Sequence, residues 1–189
     1  LLRGSGLWGL AAILPVRHQG AVRIVRPLIG VSRQDILEYL RQEKMDYRTD
    51  ETNAQKIYLC NKVRLKLLPF LEKEFNANVR EALVHTALLA GADYDYLDRQ
   101  ASDFLKTHGR MYRDRLVIAE APLKSLDIAL RRVVWRSAIA SLTGISGLIG
   151  FRHASELEDL LFGRPVGSEV HLPGDVMVSK GPRALFFVV

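Results

Sequence analysis

Asn61 and Arg64 stand three residues apart in a stretch patterned as helix, so the sequence predicts an amide and a guanidinium projecting from one helix face. That pair has the chemistry to clamp a phosphate or a base edge. The polar stretch before it carries Asp50, Thr52 and Asn53. These supply oxygen and amide groups to the same site or, equally, cap the helix that follows. Near the beginning, Arg3 offers a planar fork of donors to phosphate or carboxylate, and Gly4 beside it lets a backbone approach a ligand closely. A turn after a helix explains the same glycines. Arg33 falls at the start of a helix, where the dipole disfavours a cation, and an anion bound there would resolve the conflict. Solvated surface is the competing reading for Arg33, Asn61 and Arg64 alike.

Other reactive residue types form no such grouping. His18, His85, His108, His153 and His171 are scattered, and none pairs with another His, a Cys or a carboxylate at metal-ligand spacing. Ser5 and Ser146 lie beside glycines, but no Gly-x-Ser-x-Gly pattern surrounds either. Trp8 and Trp135 read as packing residues, and Lys56, Lys62 and Lys66 as either phosphate contacts or solubilising charge.

The elements that must position these residues follow from periodicity and punctuation. Val22-Arg23-Ile24-Val25 reads as a strand stopped by Pro27. Ser32, with Asp35 three residues on, opens a helix whose buried stripe is Ile36, Leu37 and Leu40. A second helix runs from about Lys56 to Leu68, with Pro69 kinking or restarting any continuation. After a boundary near residues 74–78, Val79, Leu83, Ala87, Ala90, Tyr94, Leu97, Ala101 and Leu105 mark one face of a long helix. Short strands flank the Arg113-Asp114-Arg115 turn. Ser125 then opens a helix ending before Gly144, and Ser155 one ending at Gly163. From Gly167 onward three strands alternate with turns at Pro173-Gly174-Asp175 and Gly181-Pro182-Arg183. The fold class expected is a basic α/β remnant joined to a mainly α-helical domain with a small terminal β element.

Composition sets the outer limits. The 189 residues are 48% hydrophobic and 25% charged, ordinary for a folded chain with its own core. One cysteine, Cys60, excludes an intramolecular disulfide and suits a reducing compartment. No apolar run approaches the roughly 20 residues that span a bilayer. The sequence starts at Leu1 rather than Met, and its first residues read as the middle of something longer. The net charge of +6 is concentrated: residues 1–69 hold twelve Lys and Arg against six Asp and Glu, whereas residues 70–189 balance at fifteen each. Clustered positive charge is an electrostatic footprint for nucleic acid or nucleotide phosphate.

Taken in order, Leu-Leu-Arg-Gly-Ser-Gly-Leu at 1–7, Arg-Pro-Leu at 26–28, Ser-Arg at 32–33, Asp-x-Thr-Asn at 50–53 and Asn-x-x-Arg at 61–64 resemble the tRNA(Ile)-lysidine synthetase family. The resemblance continues more loosely through the helical stretch to Leu-Pro-Gly at 172–174. It implies a ligase that adenylates the wobble cytidine of tRNA(Ile) at C2 and then joins lysine there with loss of AMP. The implied partners are tRNA(Ile) with a CAU anticodon, L-lysine and ATP, with Mg2+ as an implied cofactor. A homodimer is an option, no membrane is involved, and the setting is cytoplasmic. The implied fold is a Rossmann-like PP-loop ATPase domain, of which residues 1–74 are the C-terminal part, then a helical tRNA-binding domain with terminal strands over residues 75–189.

Carried over by position, Arg3, Arg33, Asn61 and Arg64 are the catalytic candidates, and Gly4, Asp50, Thr52 and Asn53 the substrate-binding ones. The family's Ser-Gly-Gly-x-Asp-Ser ATP-binding loop belongs upstream of Leu1, so these 189 residues alone are expected to be inactive. Two departures stand out: the family carries Arg where this chain has Cys60, and a small or acidic residue where Trp8 stands. A thiol does not replace the donor fork of an arginine. Three other readings remain: a non-catalytic RNA-binding module, another PP-loop tRNA-modifying enzyme such as a cytidine thiolase, and a purely structural helical interaction domain. The single cysteine disfavours the thiolase, and the concentrated charge disfavours the structural domain.

Overall fold

The computed structural model describes residues 6–19, 22–48 and 59–189. The chain divides into two compact units: a smaller one, Ile13–Leu89, and a larger one made of Leu1–Ala12 with Ala90–Val189.

In the smaller unit, β1 (Val16–Gln19) and β2 (Val22–Val25) form an antiparallel hairpin in which Val16 faces Val25 and Gln19 faces Val22. The strand expected at 22–25 is present; its partner β1 was not expected. Beyond the ladder, Arg26 adds a backbone bond to Pro15 and a guanidinium bond of 3.0 Å to the Leu14 carbonyl. Helix α2 (Arg33–Gln42) starts as expected. Ser32 Oγ accepts from the Asp35 amide and the Asp35 carboxylate accepts from the Ser32 amide, each at 3.1 Å, so two of the orphan donors of the helix start are satisfied.

Helix α3 (Leu59–Lys62) passes through a π-helical turn, Val63–Leu67, directly into α4 (Leu68–Glu74). Pro69 is the physical reason for the turn. It has no N–H to return to the preceding turn, and its ring crowds the carbonyl four residues back. Widening the helix there, with the Leu68 amide bonding the Val63 carbonyl, lets the chain pass the proline without breaking. The expected kink or restart takes the form of a continuous helix with one wide turn.

Helix α5 (Val79–His108) begins after Asn76, whose side-chain oxygen accepts from the Asn78 amide at 2.9 Å. Its stripe is the one the spacing predicts: Ala90 and Ala101 are buried, and Val79, Leu83, Ala87, Tyr94, Leu97 and Leu105 are half-buried.

From Ala90 on, α5 belongs to the larger unit, with α1 (Leu7–Leu10), α6 (Glu120–Ser125), α7 (Ile128–Thr143) and α8 (Phe151–Phe162). Strands β3 (Gly109–Met111), β4 (Arg115–Ala119), β5 (Glu169–Leu172), β6 (Val176–Lys180) and β7 (Ala184–Val188) form one antiparallel sheet in the order β3-β4-β7-β6-β5. The terminal β element is thus part of a five-stranded sheet, because β7 pairs across to β4 with Val117 opposite Phe186. Alternate residues of each central strand point inward: Leu116 and Ile118, Val176 and Val178, Leu185 and Phe187. They meet Val134, Trp135, Ile139, Leu157, Leu160 and Leu161 from α7 and α8 in a single core.

The two buried charged residues of this unit, Arg131 and Lys180, are paired. Glu158 accepts from Arg131 at 2.7–2.9 Å and from Trp135 Nε1 at 2.8 Å, and Arg131 also donates to the Leu126 carbonyl at 2.7 Å. Lys180 donates to the carbonyls of Leu161 and Arg164 at 2.9 and 2.7 Å.

Two helix starts differ from expectation. Ser125 ends α6 and donates to the Pro122 carbonyl, while Asp127 caps α7 by accepting from the Ala129 amide. Helix α8 begins a turn before Ser155, with the Gly150 amide donating to His153 Nδ1. In both places a competing side chain satisfies the orphan amides better placed than the serine. Gly144 ends α7 in the left-handed conformation, φ +71°, that favours glycine.

Candidate functional site

Of the residues singled out in the sequence, Arg33, Asn61 and Arg64 lie among those described; Arg3, Gly4, Asp50, Thr52 and Asn53 lie outside them. All three described candidates belong to the smaller unit.

Arg33 is the first residue of α2 and is exposed. The anion at that helix start is the carboxylate of Asp35, already engaged in the cap. Asn61 lies on α3, buried and engaged with a partner. Arg64 lies in the π turn and is exposed. A π turn holds more residues than an α turn, so three residues fall further short of a full revolution. Asn61 therefore points inward and Arg64 outward, rather than sharing one face.

What the turn does present is positive charge. Lys62, Arg64 and Lys66 are exposed, and none makes an ion pair with another described residue. Their basic neighbours in the same unit behave differently: Arg41 is held by Glu38 at 2.7 Å, and Arg80 by Glu72. Cationic side chains left without counter-charges, on a helix with a π turn, suit a polyanionic ligand. Cys60, also exposed, adds a free thiol but no charge at the position where the resemblance calls for an arginine. No group of three or more His, Cys, Asp or Glu among the described residues is arranged to hold a metal ion. Nor is any helix among them long and apolar enough to cross a membrane.

Helix α7, expected from its periodicity, also carries three arginines that periodicity does not single out, Arg131, Arg132 and Arg136. Three arginines in such a run are a signal that periodicity alone does not interpret: Arg131 is the buried partner of Glu158, whereas Arg132 and Arg136 have no such partner.

Comparison with known proteins defines the class first. Residues 1–71 match the PP-loop domain family, which takes in every candidate residue named above. Within that class the chain is similar along nearly its whole length to tRNA(Ile)-lysidine synthases. It is 36% identical over 177 residues to a tRNA(Ile)-lysidine synthase of Solibacter usitatus, covering 92% of this chain and 39% of the relative. With the corresponding protein of Geobacter sulfurreducens it shares 30% over 188 residues, 99% of this chain and 39% of the relative. With that of Caldanaerobacter subterraneus subsp. tengcongensis it shares 29% over 180 residues, 95% of this chain and 38% of the relative. The chain thus spans under two-fifths of the length of these relatives, and the likeness runs through the helices and sheet that follow the PP-loop match.

Proposed function

We propose that this chain is part of an enzyme that ligates lysine to the wobble cytidine of tRNA(Ile) at the expense of ATP. The observation that carries the reading is that the same relatives match both the basic first third and the helical and β portion after it, over 92–99% of the chain. In the proposed reaction the base is adenylated at C2 with loss of pyrophosphate. The lysine amine then bonds to C2, losing a proton, and AMP departs.

Residues 1–74 form the C-terminal part of the catalytic domain and residues 75–189 the helical tRNA-binding domain with its strands. The guanidiniums of Arg3, Arg33 and Arg64 stabilise and orient the charged phosphoryl group, while Asn61, buried and already engaged, acts by holding α3 in place. Gly4, Asp50, Thr52 and Asn53 shape the place where lysine and cytidine meet. Lys62, Arg64 and Lys66, exposed and without counter-charges, are suited to phosphates of ATP or tRNA. The side chains they present are cationic and do not fit Mg2+, so no step here runs through the ion. The setting is cytoplasmic, as for a tRNA-modifying enzyme.

The sequence contains no Ser-Gly-Gly-x-Asp-Ser stretch, and we infer that residues 1–189 alone form no lysidine. Incorporation of radiolabelled lysine into tRNA(Ile) tests both statements. A longer form carrying the loop is expected to incorporate lysine and the 189-residue chain is not. Replacing Arg64 by Ala in the longer form is expected to lower the rate at least tenfold with no loss of folded protein. A longer form that binds tRNA yet never incorporates lysine would favour the non-catalytic RNA-binding reading.

A further inference from the structure

The larger unit contains a cavity of about 640 Å³ lined by the rings of Trp8, Tyr94 and Phe151, by aliphatic side chains, and by Arg132 and Arg136 of α7. Spacing of four residues stacks the two arginines on one helix face, where like charges repel. Neither forms an ion pair or hydrogen bond with another described residue, and Arg132 Nε is buried with no partner at all. The Arg132 guanidinium lies over the Phe151 ring, with its carbon 5.3 Å from the ring centroid. Arg131, next along the same helix, shows what this fold does with a structural arginine: it is clamped by Glu158 and two carbonyls. The Trp8 ring of the cavity wall is seated against backbone. Gly147 has φ +83°, and a Cβ there would come within 2.7 Å of the Trp8 ring, so only glycine lets that indole lie where it does.

We propose that this cavity binds a nucleotide, its phosphate between Arg132 and Arg136 and its base against the Trp8 or Phe151 ring. Two unpaired guanidiniums four residues apart call for a polydentate anion, and phosphate offers enough oxygens for both forks. Planar aromatic walls offer a stacking surface that any base can use. The volume lies in the range of sites for small organic ligands. The same chemistry arises from one nucleotide of an RNA chain or from a free mononucleotide. The cavity belongs to the larger unit and the π turn to the smaller, and the proposal rests on the ligase reading only in naming RNA as a source.

The test is equilibrium binding to the full chain of a 5′-phosphorylated single-stranded RNA hexamer bearing a 3′ fluorophore, with AMP as competitor. Arg136→Gln is expected to weaken binding at least tenfold and to flatten its salt dependence by about one phosphate contact. Arg132→Lys, which keeps the charge but removes the buried Nε, is expected to weaken it several-fold with an unchanged melting temperature. Arg113→Gln, at the exposed β3–β4 turn, lowers net charge equally and is expected to stay within about twofold of wild type. Displacement by AMP at comparable concentration assigns the site to mononucleotides, and displacement only by RNA assigns it to the chain. The proposal is overturned if neither probe binds, if Arg136→Gln binds as tightly as wild type, or if Arg113→Gln weakens binding as much. Lysine incorporation by a longer form carrying Arg136→Gln is read separately, so the ligase reading stands or falls on its own result.

Discussion

Glu158 accepts hydrogen bonds from two side chains that cannot reach water, the guanidinium of Arg131 and the indole of Trp135. Removing it leaves a buried charge without its counter-ion, which typically costs 3–5 kcal/mol. Arg131 keeps bonds to the carbonyls of Leu123 and Leu126, so Glu158→Ala is expected near the lower end, about 3 kcal/mol, as a shift of the urea midpoint. A change under about 1 kcal/mol would mean that the pair is not structural. Tyr94 makes a second residue-level case, this one in pH. Burial, helped by the neighbouring Asp98 and opposed by Arg136, pushes its hydroxyl up to about 12 from an ordinary 10.0. Between those values the unfolded chain loses the proton while the folded one keeps Tyr94 neutral, so folding stability falls as pH rises. Tyr94→Phe cannot ionise. Its urea midpoint relative to wild type is expected to rise between pH 9.5 and 11.5, and parallel curves would refute the assignment.

At the scale of elements, the π turn sets where Arg64 points, and Pro69 sets the π turn. Pro69→Ala restores an N–H and removes the ring, which favours a regular helix by roughly 1–3 kcal/mol. Shrinking a π turn to an α turn rotates everything before it relative to everything after, so Arg64 moves off its present bearing. The variant is expected to melt higher than wild type yet to ligate lysine more slowly in the longer form; a gain in both would separate Arg64's direction from activity. The sequence shows Pro69 as a kink or restart, but not the wide turn, because that compensation is a backbone response with no residue signature.

What was legible was local. The Ser32–Asp35 cap, the stripe of α5 and the three terminal strands each depend on neighbours within a few residues. The joining of β4 to β7 depends on pairing between residues some seventy positions apart, and no local pattern encodes that. The site divides the same way. Residue types and order pointed to Arg33, Asn61 and Arg64 through the resemblance, but Asn61's burial against Arg64's exposure follows from the π turn. Arg132 and Arg136 were missed because an arginine in an apolar helix looks alike whether paired or not.

For the molecule as a whole, the distribution of buried surface decides which part opens first. Every buried hydrophobic side chain among the described residues belongs to the larger unit; in the smaller one the buried residue is Asn61. There Val22, Leu28, Tyr39, Met45 and Phe75 are more than half exposed, and the basic excess of residues 1–69 adds self-repulsion. Backbone bonds without a packed core over them break in local openings, whereas bonds in a core sheet break only with the whole unit. Hydrogen exchange is therefore expected to be fast in β1, β2 and α2 and slow in β4, β6 and β7. The expected gap in opening free energy is about 3 kcal/mol or more, roughly a hundredfold in protection. Equal protection in the two units would show that the smaller one is stabilised by something other than apolar burial. A fast-exchanging smaller unit is also the one that a polyanion contacting Lys62, Arg64 and Lys66 would order. Saturating tRNA is thus expected to slow exchange across α3 and α4 while leaving the β4–β7 ladder unchanged, and a uniform slowing across both units would argue against binding at the π turn.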